Sequence, residues 1–308
     1  MSDTATVAAT VAATEHEVEA ARIERHRRFR SNTLPALVTV GPVTLWLIAF
    51  IAVPLLYILI MGFCSTDQYY NVVYSFTLDN FQAMLDPEYL KIYGQSILIA
   101  AISTAICLVL AYPLAYIMAR AEPKVQKTFM TIIMIPMWMN FLIRTYAWMT
   151  ILQDKGIFNN ILSALHLPGV HIIGTEAAVV IGMVYDYIPY MILPLFSIMA
   201  KMDVKLIEAA RDLGCNGLGV LRRVIWPLSL PGVISGVTMV LIPSVSTFYI
   251  SQKLGDGKIM LIGDVIEGQY VANNLHFAAA IAFVLMVLLL VCMAVMRKLV
   301  GRNVEGGL

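Results

Sequence analysis

Six stretches of this chain are almost free of charge, and each is long enough to cross a lipid bilayer. They cover residues 34–63, 92–118, 128–152, 177–200, 229–250 and 277–296. A helix crossing a hydrocarbon core about 30 Å thick needs about 20 mostly apolar residues. Two stretches carry an internal charge, Arg144 in the third and Asp186 in the fourth. Pro54, Pro113, Pro136, Pro189 and Pro243 fall inside them. In water such prolines would break helices, but in a membrane the neighbouring helices satisfy the freed backbone groups. Composition agrees, with only 13% of residues charged against about 25% in a soluble domain. The expected fold class is all-α and integral to the membrane, with six transmembrane helices.

Basic residues give the orientation. Five Lys/Arg precede the first stretch, three lie between stretches two and three, five between four and five, and three follow the sixth. The loops on the other side hold only Lys91, Lys155, Lys253 and Lys258. An excess of Lys/Arg marks the cytoplasmic side, so both termini are expected in the cytoplasm. The opposite loops carry nine acids, an excess that would concentrate cations there.

Residues 1–33 read as a cytoplasmic tail, with an Ala/Thr-rich beginning and then Glu15, Glu17, Glu19 and five arginines. Residues 15–30 suit either an amphipathic surface helix or disorder, and the apolar run that follows is too long for a cleavable signal. A second short tail is expected over 301–308. A net charge of +1 offers no footprint for nucleic acid. Cys64, Cys107, Cys215 and Cys292 are far apart and show no metal-ligand spacing. His166 and His171 stand in an outer loop with no partners in view, and no Ser–His–Asp or Cys–His set suggests an enzyme. There is no GxxxxGK[ST] run to cradle phosphates, so ATP and its magnesium would belong to a partner.

The cytoplasmic segment 201–228 carries the most specific pattern. Asp203 suits a helix N-cap and Gly214 the residue just past a helix end. Between them Met202, Leu206, Ile207, Ala210 and Leu213 fall on one helical face. A second helix is expected to start near Asn216 and stop before Pro227. Glu208-Ala209-Ala210, three residues, Gly214, nine residues, Val224, two residues and Pro227 resembles the "EAA loop" of ABC-importer permeases. Val224 and Trp226 replace the usual Ile and Leu.

The resemblance covers about residues 37–300 and is nearest to the spermidine/putrescine (PotB-type) permease family. It rests on Phe76-Thr-Leu-Asp-Asn-Phe81, on Pro136-Met-Trp-Met-Asn140 continuing to Arg144, and on Val184-Tyr185 with Pro189. Glu208 to Gly214, Phe248-Tyr249-Ile-Ser251, Gly257-Lys258 and Leu261-Ile-Gly263 complete it. The resemblance implies a type I ABC-importer permease fold in a bacterial inner membrane. It further implies a second permease subunit, two ATP-binding subunits and an extracytoplasmic substrate-binding protein. On this reading Glu208, Ala209, Ala210, Arg211 and Gly214 dock on an ATP-binding subunit. Opine and related amine importers share much of the pattern, and a proton-coupled carrier using Asp186 is the rival class. The loop from Glu208 to Gly214 would be useless to such a carrier.

Asp186 is the leading candidate for a substrate path. A carboxylate near mid-membrane flanked by Tyr185, Tyr187 and Tyr190 is the chemistry an amine would use, at about 0.5–2 kcal/mol per ring. The competing reading is an intramembrane pair with Arg144, which straight helices would leave several ångströms nearer the outer face and therefore strained. Asp264 and Glu267, three apart in an outer loop, are a second candidate pair, with a solvated helix face as the alternative.

Overall fold

The computed structural model describes residues 40–66, 72–73 and 75–305. The expectations for residues 1–39 and 306–308 lie outside the described residues.

The first apolar stretch forms α1, Val40–Gly62. Through Ile60 it belongs to a unit of its own, in which Trp46 packs on Phe50 with ring centroids 4.5 Å apart.

The remaining residues form the second unit. A two-residue antiparallel pair, Ser65–Thr66 with Val72–Val73, is a small departure from the all-α expectation. Then come α2 (Asp79–Ala83), α3 (Pro87–Arg120), α4 (Pro123–Trp138), α5 (Phe141–Leu152), α6 (Ile157–Ala164) and α7 (Glu176–Ala200). They are followed by α8 (Val204–Asp212), α9 (Gly217–Val220), a π turn over Leu221–Ile225, and α10 (Trp226–Ser246). The last three are α11 (Tyr249–Leu254), α12 (Ile262–Val271) and α13 (Leu275–Glu305). Residues 301–305, read from the sequence as tail, are helical.

The segment from Phe76 to Phe81 has a structural reason for its pattern. Phe76 and Phe81 both pack on Phe63, at 5.1 and 4.8 Å. The Asn80 amide donates to the carbonyls of Gly62 and Cys64, which are left over where a helix ends.

α3 packs on α7 through a stripe at four-residue spacing: Ile99, Ser103, Cys107, Ala111, Ala115 and Ala119, all buried. Small side chains repeated every fourth residue lie on one helix face and let two helices approach closely without hydrophobic driving force. The Cys107 thiol reaches the Val184 carbonyl at 3.7 Å. α10 joins the same core through Val233 and Val240. A second core gathers Tyr93, Ala100, Val245, Ile262, Ala280 and Ile281 from α3, α10, α12 and α13. Large apolar side chains such as Val109, Leu290 and Val291 stay exposed, as expected of surfaces facing lipid.

The third stretch departs from expectation. It is not one helix over 128–152: α4 and the segment Phe141–Ala164 meet at 93°. Met139 adopts an extended conformation, and the Asn140 side chain accepts from Leu142 N at 2.8 Å, starting a new helix.

Candidate functional site

α8 is built by its caps. The Asp203 carboxylate accepts from Lys205 N at 3.0 Å. At the other end Gly214 has φ +83°, its N–H donates to Arg211 O, and Cys215 N–H donates to Ala210 O. This is a Schellman closure, and its left-handed residue favours glycine. Asn216 accepts from Gly219 N at 2.8 Å and starts α9. That helix does not stop before Pro227. It runs on through the π turn into α10, because Trp226 N–H donates to Leu221 O five residues back. The widened turn comes directly before Pro227, which lacks a backbone donor.

Ile207 and Ala210 face inward onto Val220 and Ile225, beside Tyr112 and Tyr116 of α3. Tyr112 hydroxyl and Ser229 Oγ are 2.9 Å apart, and Arg120 donates to Met202 O at 3.4 Å. Glu208, Ala209, Arg211 and Gly214 are exposed. Two expectations need correcting. Ala210, read among the docking residues, turns inward and is buried with Val220 and Ile225. Leu206 and Leu213, read onto one apolar face with Ile207 and Ala210, are exposed instead, Leu213 at 85%. A nine-residue helix has one narrow inner stripe, and Leu213 falls past its end.

Arg144 and Asp186 meet. Arg144 Nε lies 2.8 Å from Asp186 Oδ1, as an ionic contact whose alignment falls short of a hydrogen bond. The two residues are 9% and 2% exposed. Arg144 Nη1 also donates to Pro136 O at 2.9 Å, a carbonyl at the end of α4. The expected strain is absent because the chain turns sharply at Met139–Asn140. Arg144 therefore does not climb toward the outer face as a straight helix would carry it.

Of the three tyrosines, Tyr187 lies within electrostatic reach of Asp186, and its ring packs on that of Tyr190 with centroids 6.4 Å apart. Tyr185 packs edge-on against Trp148 at 5.1 Å. The Tyr187 hydroxyl donates to Pro243 O at 3.5 Å, and Tyr190 is exposed. Neighbouring helix positions point about 100° apart, so a run of residues cannot cup one carboxylate.

Asp264 and Glu267 sit on α12, each engaged within the chain. Asp264 Oδ2 accepts from Leu261 N at 2.7 Å, the N3-to-N-cap half of a capping box. Burial pushes the Asp264 carboxyl up to about 6. Glu267 Oε2 accepts from the Gln252 amide of α11 at 3.1 Å. His171, unpartnered on the sequence reading, has Nδ1 2.7 Å from Asp154 Oδ1 at an exposed site.

Residues 111–306 match the family described as binding-protein-dependent transport system inner membrane component. This chain belongs to that family. The permease is 38% identical to the spermidine/putrescine transport system permease protein PotB of Haemophilus influenzae, over 87% of its own length and 96% of the relative's. It is 38% identical to PotB of Escherichia coli, over 79% and 90%, and 27% identical to the inner membrane ABC transporter permease protein YdcU of that organism, over 85% and 88%. Among solved structures it is similar to a chain of a bacterial ABC transporter involved in import of the acidic polysaccharide alginate. That likeness has a TM-score of 0.73 at 15% identity and covers 90% of the permease and 99% of the other chain. The permease thus has the type I ABC fold. It is a multi-pass, non-catalytic subunit of the inner membrane, and ATP hydrolysis lies on a separate partner.

Sequence reading missed one arrangement in the permease. Tyr146 of α5 and Tyr249 of α11 come together around Lys253. Tyr249 and Lys253 share a helical face at four-residue spacing, a signal available in the sequence, but only the tertiary fold brings Tyr146 to them.

Proposed function

We propose that this permease forms half of the path of an ATP-driven polyamine importer for spermidine, putrescine or a close amine. A second, different permease would form the other half, with two ATP-binding subunits and an extracytoplasmic binding protein completing the complex. One observation carries this: 38% identity to a spermidine/putrescine permease across 96% of that protein's length. The segment from Glu208 to Gly214 supports the docking role. Exposed Glu208, Ala209 and Arg211 offer polar and small surfaces to an ATP-binding subunit, while Ile207 and Ala210 tie the helix to α3 and the π turn. The basic residues around α8 and at both ends support a cytoplasmic side for these segments. Asp186 and Arg144 serve as a clamp holding the broken third span to α7, and Asp264 and Glu267 shape the outer end of the path. The test is uptake of labelled putrescine and spermidine by the reconstituted complex with its binding protein. ATP-dependent accumulation is expected. A complex whose ATPase responds to its binding protein but which accumulates neither amine overturns the reading.

A further inference from the structure

Lys253 extends from the six-residue helix α11 into a space between two tyrosines. Its ammonium lies 5.5 Å from the Tyr146 ring centroid and 5.6 Å from that of Tyr249. The two rings stand edge to face, 6.2 Å apart at 79°, and Phe141 backs Tyr249 at 5.8 Å. An ammonium within about 6 Å of a ring centroid is drawn to the negative face of the ring. Two rings here hold one cation. Among the described residues no carboxylate pairs with Lys253. Glu267, on the adjoining helix α12, is instead bonded to the neighbouring residue Gln252. Holding a flexible four-carbon side chain in one place costs rotamer freedom, so the rings supply what a carboxylate ordinarily would. The arrangement stays open on one side, with Tyr146 45% exposed.

We propose that Tyr146 and Tyr249 form an ammonium-binding site, and that Lys253 is its resident placeholder, displaced when an organic cation arrives. The assignment of this site to the transport path rests on the amine-import reading above. Exchange of one ammonium for another suits passage. The site is never left without a cation, and the incoming group gains only the difference between two similar contacts. A shallow well lets it leave again, as conduction through a path requires. Phe141 also connects this site to the clamp, since its ring lies 6.0 Å from the Arg144 guanidinium carbon.

The test uses the whole purified complex and tetramethylammonium, a cation that an acylating reagent cannot consume. Lys253 acylation is followed by mass spectrometry, with exposed Lys258 as internal reference, in tetramethylammonium chloride and in sodium chloride of equal ionic strength. Displacement predicts acylation of Lys253 at least about threefold faster in tetramethylammonium, relative to Lys258. In Tyr249→Leu, Lys253 should react fast in both salts, whereas Tyr249→Phe keeps the ring and should keep the salt response. Equal Lys253 rates in the two salts, or a Tyr249→Phe variant without the response, overturn the site. For its place in the path, amine uptake at equal complex abundance should fall severalfold in Tyr249→Leu and persist in Tyr249→Phe; equal uptake in both overturns that part. Failure of the unaltered complex to take up polyamines would overturn the substrate reading alone, because the acylation experiment does not depend on which solute is carried.

Discussion

Arg144 is held by Asp186, by the Pro136 carbonyl and by the Phe141 ring, so removing its counter-ion leaves a buried cation uncompensated. Breaking such a pair costs about 3–5 kcal/mol, while replacing both partners with apolar groups of similar size is often neutral. Asp186→Asn should therefore reduce the abundance of assembled complex, and Arg144→Met with Asp186→Leu should restore both abundance and uptake. Immunoblots of the purified complex and uptake per complex measure the two effects. A single variant that assembles fully yet transports nothing would return Asp186 to the substrate path. Asp264 makes a separate prediction. Its carboxyl titrates near 6 when folded and near 3.9 when unfolded, so the folded state binds the proton more tightly. Stability is then greatest below the unfolded value and declines as pH rises through about 6. Asp264→Asn keeps an acceptor for Leu261 N–H without the charge, and should raise the melting temperature at pH 7.5 by an amount worth on the order of 1 kcal/mol after screening. The gain should disappear near pH 4.

At the scale of elements, α8 depends on its closure. Gly214→Ala forces a left-handed Cβ at a cost of about 1–2 kcal/mol, although open space surrounds the site. It should fray the last turn of α8 and lower ATPase stimulation by the loaded binding protein, with insertion unaffected. Glu208→Lys leaves the fold alone and reverses the charge presented to the partner, so stimulation should fall severalfold in the reconstituted complex. Stimulation equal to that of the unaltered protein would end the docking role. Gly263 is constrained by contact. A Cβ there would press into the Thr247 carbonyl oxygen and stand 2.7 Å from that of Ser246, and backbone cannot yield as a side-chain end can. Gly263→Ala should separate α12 from the end of α10 and reduce complex abundance.

Across the whole molecule, the proposed topology puts α8 and the π turn in the cytoplasm, and a native side chain reports on it. Cys215 is part-exposed between α8 and α9. An impermeant maleimide should modify it in inverted vesicles and spare it in intact spheroplasts; modification in spheroplasts would reverse the topology. The expected caps of α8 and α9 rest on residues that act locally, which is why they held. Asp203 and Asn216 cap helices through their own backbones, and Gly214 closes one through its own φ. The broken third span was less legible. Pro136 marked a weak point, but prolines are common in membrane helices, and Pro113, Pro189 and Pro231 lie inside continuous ones.

By itself the sequence determined the membrane class, through long uncharged stretches that only helices can carry across lipid. It also determined the α8 caps and the family pattern. Those properties depend on residues near one another in the chain. Tertiary structure alone decided that Arg144 stands level with Asp186, because that depends on a right-angled turn between two helices. It alone decided that Tyr185 turns to Trp148 while Tyr187 packs on Tyr190, and that Tyr146 joins Tyr249 around Lys253. Hydropathy records how deep a residue sits along a straight axis. It does not record the direction a side chain takes once the axis bends, and the contact between Arg144 and Asp186 turns on that direction.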